Sequence, residues 1–277
     1  MSHAQKALPA SLTLVGAGRM GSAMLSGWLA MGLPGSAITI LEPAPHPDLA
    51  ATCAAHAIAL NPPAGTLQPA EVLILAIKPQ MLDAAAAALA PLTGPATLLI
   101  SILAGKRIAD LAARLPDASA IVRAMPNTPA AIGRGISGVA ANGAVTDRQR
   151  ALTDALLGAV GAVEWLADES LIDAVTAVSG SGPAYVFYLT ECLARAGEAA
   201  GLPADLAARL ARATVEGSGE LMRLSPTIAP GTLRENVTSP GGTTAAALGV
   251  LMAETGLDPL MREAVAAALV RAGQLSG

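Results

Sequence analysis

The chain has 277 residues and 27.4 kDa, enough for one large domain or two ordinary ones, and a chain of this length buries roughly three quarters of its unfolded surface. Its composition, 53% hydrophobic, 14% charged and 2% aromatic, excludes intrinsic disorder. Five aromatic residues in all (Trp28, Trp165, Tyr185, Phe187 and Tyr188) argue against a platform for single-stranded nucleic acid or sugars, and a net charge of −4 leaves no basic stripe for phosphate backbones. Cys53 and Cys192 are too few and too far apart for a disulfide framework or a multi-cysteine zinc site, which fits a reducing, cytoplasmic compartment. His3, His46 and His56 form no ligand-spaced pair, so no metal is expected.

The mean hydropathy of +0.53 calls for a check on membrane spans. Two uncharged runs, Met20 to Leu41 and Ala84 to Gly105, reach the length of ~20 residues that a bilayer requires. Gly32, Pro34 and Gly35 break the first and Pro91, Gly94 and Pro95 the second, so each reads as a buried helix followed by a buried strand, with no membrane partner. At the N-terminus, Lys6 followed by apolar Leu12 to Val15 stops too soon for a signal peptide.

Strands are predicted at Leu12 to Val15, Ala37 to Leu41, Ala57 to Leu60, Val72 to Ile77, Thr97 to Leu103, Ala120 to Ala124, Ile136 to Ala140 and Ala162 to Leu166. The central ones are apolar without alternation, as parallel strands covered on both faces are. Helices fit between them, at Arg19 to Met31, Met81 to Ala90, Ile108 to Leu115 and Asp147 to Val160. The order is that of an α/β doubly wound sheet. After about Ala167 strand signals vanish and helices follow, punctuated by Gly and Pro, so the expected organisation is a Rossmann-type dinucleotide-binding domain over 1–166 and an all-α domain over 167–277.

The first motif in the chain is Gly16-Ala17-Gly18-Arg19-Met20-Gly21, a G-x-G-x-x-G after a strand and opening a helix. In that pattern the first glycine makes the turn, the second admits a pyrophosphate and the third lets helix and strand pack closely, while the helix N-terminus presents amides to the phosphates. Glu42 ends the second strand 21 residues after Gly21, where an acidic side chain accepts from a ribose 2′-OH and repels a 2′-phosphate. That favours NAD; the unusual loop Glu42-Pro43-Ala44-Pro45-His46 leaves solvent exposure of Glu42 as the other reading.

Three more segments end strands at the carboxyl edge, where open α/β sheets bind ligands: Ala76-Ile77-Lys78-Pro79, Ser101 to Gly105, and Met125-Pro126-Asn127-Thr128-Pro129. Lys78 serves a cofactor or is a rim lysine. Asn127 and Thr128, held between prolines, are pre-positioned near the nicotinamide end or are ordinary turn residues. In the helical half, Ser179-Gly180-Ser181-Gly182-Pro183 reads as a close helix crossing. Thr238-Ser239-Pro240-Gly241-Gly242-Thr243-Thr244, before an apolar helix, combines free amides with more hydroxyls than one N-cap needs and suits a carboxylate.

Taken together, GAGRMG, AIKPQ, SILAG, RAMPNTPAAIGRG, VSGSGPAYVF and above all LRENVTSPGGTTAAAL resemble pyrroline-5-carboxylate reductase, in order and over nearly the whole chain. The resemblance implies a Rossmann domain, a helical domain forming an intertwined dimer or higher homo-oligomer, and reduction of 1-pyrroline-5-carboxylate to L-proline by NADPH or NADH. By motif it implies that Ser239, Gly242, Thr243 and Thr244 hold the substrate, with Thr244 at the ring nitrogen as the catalytic contact. It further implies that Gly16, Ala17, Gly18, Arg19, Met20, Gly21, Asn61, Ala76, Ile77, Lys78, Pro79, Leu103, Ala104 and Gly105 line the cofactor; position at the strand ends adds Glu42 and, near the nicotinamide, Asn127. The family usually prefers NADPH, with Ser, Asn or Arg after the second strand; Glu42 with no nearby Arg departs from that and leaves both cofactors open. A β-hydroxyacid dehydrogenase shares this plan but places a Lys on the helix after its Gly-rich turn, where this chain has Val186 and Thr190. A non-catalytic dinucleotide sensor would need the first motif and not the last.

Overall fold

A computed structural model describes residues 8–276; His3 and Lys6 lie outside the described residues. Eight strands form one sheet in the order β3-β2-β1-β4-β5-β6-β7-β8. In chain order β1 (Leu12–Val15) leads into α1 (Arg19–Ala30), β2 (Ile38–Leu41), α2 (Pro47–Ala55), β3 (Ala59–Leu60) and β4 (Val72–Leu75). Then come α3 (Leu82–Leu89), β5 (Leu98–Ser101), α4 (Ile108–Arg114), β6 (Ala120–Met125), β7 (Gly135–Ala141), α5 (Asp147–Gly158) and β8 (Gly161–Trp165). The sheet is parallel except that β7 runs antiparallel to β6.

The unbroken apolarity of the central strands follows from the two layers. On β1, Leu12 and Leu14 join one core cluster with Met24 and Trp28 of α1, while Val15 points to a second cluster with Leu82 of α3 and Leu111 of α4. On β4, Val72 and Ile74 face the first cluster and Leu73 and Leu75 the second. The period of two is present, but both faces are buried, so no polar residue marks it. Trp28 is fully buried and donates its indole N–H to the Leu156 carbonyl at 2.9 Å, tying α1 to α5. α5 starts with a capping box in which Thr146 and Gln149 satisfy each other's amides.

Three strands are clearly shorter than expected: β3 keeps only Ala59–Leu60 of the run from Ala57, because Ala57 turns to φ +54, and two more end early. β4 stops at Leu75 and β5 at Ser101, because the chain leaves the sheet there to form edge loops. Ile77 and Leu103 still pack against the second cluster, which explains their apolarity without strand pairing.

After β8 every described element is helical: a 3-10 turn over Glu169–Leu171, α6 (Ile172–Val175), a π-turn over Thr176–Gly180, α7 (Gly182–Ala199), α8 (Ala204–Leu224), α9 (Pro230–Asn236), α10 (Thr243–Leu251) and α11 (Leu257–Leu275). The described residues up to Gly180, with those from Leu269 onward, form one compact unit, and Ser181–Ala268 form another. Within the second unit α7 has no buried residue and α8 buries only Ala207 and Ala211. No described helix is long and apolar enough to cross a membrane.

Candidate active site

In the first unit, β1 and β4 are neighbours from which the chain departs in opposite directions, so the loops after them open a crevice at the carboxyl edge. The glycine motif fills the turn after β1. Gly16 has φ +90, and a Cβ there would stand 2.7 Å from the Ala76 carbonyl; a Cβ on Gly21 would collide with the Gly16 carbonyl. Both glycines are thus demanded by the fold. Gly18 is different: φ is −66 and a Cβ would meet nothing within 4 Å, so folding does not require glycine there. Open space at that position, beneath a helix start with no side-chain cap and no acidic residue in its first turn, fits a pyrophosphate approaching the backbone.

The neighbouring loops meet this turn. The Gly16 amide donates to the Leu41 carbonyl at 2.8 Å. Glu42 Oε2 accepts from the Ala17 amide at 2.9 Å and its Oε1 from the Ala44 amide at 3.1 Å. Asn61 grips Glu42 from behind, its Nδ2 donating to the Glu42 carbonyl at 2.8 Å and its Oδ1 accepting from the Glu42 amide at 2.9 Å. Ala76 to Pro79 follow β4, with Ala76 against Gly16 and Lys78 exposed. Leu103, Ala104 and Gly105 follow β5; the Leu103 side chain is buried, and Gly105 lies against the Leu275 carbonyl at the end of α11. Arg19 and Met20 open α1. The structure therefore brings the fingerprint, Glu42, Asn61 and Ala76 into direct contact.

Asn127 follows β6 and is extended, as the residue that leads into a short 3-10 turn over Thr128–Ile132. Its side chain is engaged: Oδ1 accepts from the Ile136 amide at 2.9 Å and Nδ2 donates to Ser179 Oγ at 3.2 Å. Ser179 thus belongs to the first unit through a contact that spacing in the sequence does not announce. A second unforeseen group lies beside it. Arg123, buried in β6, pairs with Glu169 at 3.1 Å and Asp173 at 3.5 Å; Glu169 also accepts from the Ile108 amide, and Asp173 from Ser276 Oγ at 3.1 Å.

In the second unit, Ser239, Gly242, Thr243 and Thr244 lie together at the start of α10. Gly242 is the N-cap residue, contributes no side chain, and no acidic residue occupies the first turn. Thr238 spends its hydroxyl on the Arg234 carbonyl, but Ser239, Thr243 and Thr244 use theirs on nothing among the described residues. Three unspent hydroxyls over a helix N-terminus form an acceptor-seeking cradle.

A doubly wound sheet with an open glycine turn at its switch point, joined to a helical unit with this cradle, defines a nicotinamide-dependent oxidoreductase of the Rossmann type. Residues 169–275 match the family model for pyrroline-5-carboxylate reductase dimerisation, and residues 11–105 match that for NADP oxidoreductase, coenzyme F420-dependent. The pyrroline-5-carboxylate reductase of Pseudomonas aeruginosa is 40% identical over 267 residues, covering 96% of each chain. Among solved structures, a pyrroline-5-carboxylate reductase from Coxiella burnetii aligns with a TM-score of 0.89 at 33% identity, over 97% of this chain and 99% of that one. The pyrroline carboxylate reductase of Plasmodium falciparum, solved with NADP bound, aligns with a TM-score of 0.79 at 26% identity, over 97% and 98%. The chain belongs to the pyrroline-5-carboxylate reductase family.

Proposed function

We propose that the protein reduces 1-pyrroline-5-carboxylate to L-proline, the last step of proline synthesis, in the cytoplasm. The observation that carries the substrate assignment is the uncapped start of α10 with the unspent hydroxyls of Ser239, Thr243 and Thr244. In this reading residues 1–166 hold the dinucleotide and 167–277 hold the substrate and the partner subunit.

NAD(P)H, when bound, supplies the hydride that adds to the C=N carbon. The substrate arrives protonated as an iminium, so hydride addition gives the neutral ring amine directly and the protein need not donate a proton at that step. What this chain supplies is orientation. Ser239 and Thr243 donate to the carboxylate, together with the free amides beyond Gly242, and Thr244 Oγ1 accepts from the iminium N–H. The fingerprint Gly16 to Gly21 receives the pyrophosphate; Ala76 to Pro79 and Leu103 to Gly105 wall the crevice. Asn127, fixed by Ile136 and Ser179, holds the loop at the nicotinamide end.

Self-association is supported by the second unit, where Phe187 is 64% exposed and Val250 71%, with Val186, Leu189 and Leu193 of α7 also exposed. An 18-residue amphipathic helix with nothing buried requires a partner surface to offset its hydration.

The test is loss of reduced-nicotinamide absorbance on adding pyrroline-5-carboxylate, with Thr244→Ala alongside. Losing a hydrogen bond to a charged group costs about 1.5–3 kcal/mol, so kcat should fall roughly 10- to 100-fold while nucleotide affinity holds. Unchanged kcat would refute the assignment of Thr244.

A further inference from the structure

Glu42 and its surroundings do not suit a 2′-phosphate. The carboxylate is fixed at the fingerprint turn by the Ala17 and Ala44 amides, and Asn61 locks its backbone with two further hydrogen bonds. Asn61 itself adopts φ +47, a conformation few non-glycine residues take, so the loop after β3 is shaped around this grip. No Lys or Arg occurs between Glu42 and Lys78. A cavity of about 420 Å³ next to the turn is lined by Ala17, Gly18, Arg19, Ser22, His46 and Asp48. Its histidine lies 3.3 Å from the Asp48 carboxylate, and Arg19 is the one Lys or Arg in that lining.

We infer that this chain selects NADH over NADPH through the Glu42 carboxylate, and that Asn61 is the positioning residue that holds it. A 2′-phosphate carries close to two negative charges at neutral pH. Placed at the ribose it would sit beside a carboxylate held at the turn by two amide hydrogen bonds, on a backbone that Asn61 fixes with two more. A 2′-hydroxyl, in contrast, donates to that same carboxylate. The inference rests on dinucleotide binding at the glycine fingerprint and deepens that reading.

The experiment is direct titration of the full-length protein with NADH and with NADPH by calorimetry or nucleotide fluorescence, without substrate, for four chains: wild type, Glu42→Gln, Glu42→Ser and Asn61→Ala. Wild type should bind NADH at least tenfold more tightly than NADPH. Glu42→Gln keeps an acceptor for the Ala17 amide and removes only the charge, so NADPH should tighten several-fold; Glu42→Ser should bring the ratio to one or below. Asn61→Ala should weaken NADH and narrow the ratio while its thermal unfolding remains cooperative. Tighter NADPH binding by wild type, or a ratio that neither Glu42 variant moves, would overturn the inference. Failure of folded wild type to bind either nucleotide would overturn the fingerprint reading beneath it.

Discussion

Arg123 offers the sharpest test of how the first unit is held together. Its side chain is 4% exposed, with Glu169 at 3.1 Å and Asp173 at 3.5 Å. Arg123→Met conserves most of the volume and removes the charge, leaving two carboxylates with one neutral donor each, the Ile108 amide and Ser276 Oγ. Breaking a buried pair from one side costs about 3–5 kcal/mol. Glu169 and Asp173 keep 27% and 19% of their side-chain surface and can recruit water, so the lower end, about 3 kcal/mol, applies. At roughly 2–4 °C per kcal/mol for a domain of this size, Tm should drop by about 6–12 °C. The assay is thermal unfolding followed by circular dichroism at fixed protomer concentration, because association shifts Tm by mass action. A triple variant that also replaces both carboxylates with Leu should recover much of the loss, since the cost lies in orphaned charge. A drop below about 1 kcal/mol for Arg123→Met, or a triple variant worse than the single one, would refute the reasoning.

Three further outcomes follow from other parts of the first unit. Gly18→Ala should unfold within about 1 kcal/mol of wild type, because its Cβ meets nothing, yet weaken NADH binding at least tenfold. Gly21→Ala, whose Cβ collides with the Gly16 carbonyl, should lose about 1–3 kcal/mol of stability; equal nucleotide affinity of Gly18→Ala and wild type would contradict the pyrophosphate assignment. Burial alone would raise the Glu71 carboxyl, but hydrogen bonds from the Ala10 amide and Arg148 together hold it below its ordinary value. A depressed folded-state value means stability that is present above the unfolded-state value and is lost as pH falls through the folded one. Glu71→Gln should therefore be less stable than wild type by about 1 kcal/mol at pH 7, with the gap closing below about pH 4; a gap independent of pH would contradict this.

The first unit was legible because its signals are local. A glycine turn between an apolar strand and a helix, or a Thr-x-x-Gln before α5, announces itself within six residues. Strand ends were less legible, since Ile77 and Leu103 remain apolar for packing after the strands have stopped. The reversal of β7 had a readable signal: residues 126–134 are too few for a parallel crossover, which takes about a dozen residues or more. The Arg123 group was not readable, because its partners lie 46 and 50 residues away, and Ser276 reaches Asp173 across 103. Nothing in local spacing distinguishes Glu169 and Asp173 from solvent-facing acids at a helix start.

Asn61 and Asn127 show why polar residues at strand ends are ambiguous in a sequence. Both occur where ligands of such sheets bind, yet both commit their oxygen and an amide hydrogen to neighbouring backbone or hydroxyl groups. The commitment has a use. Backbone amides at Gly16 to Gly21 and the Glu42 carboxylate act on a ligand only if their positions are set beforehand, and a loop fixed by an asparagine loses less conformational entropy when the ligand arrives. In a chain with only 14% charged residues, few long-range electrostatic contacts are available for that task. Short amide side chains that read the adjacent backbone do it instead, which leaves Glu42 as the charged group whose removal reports on cofactor choice separately from folding.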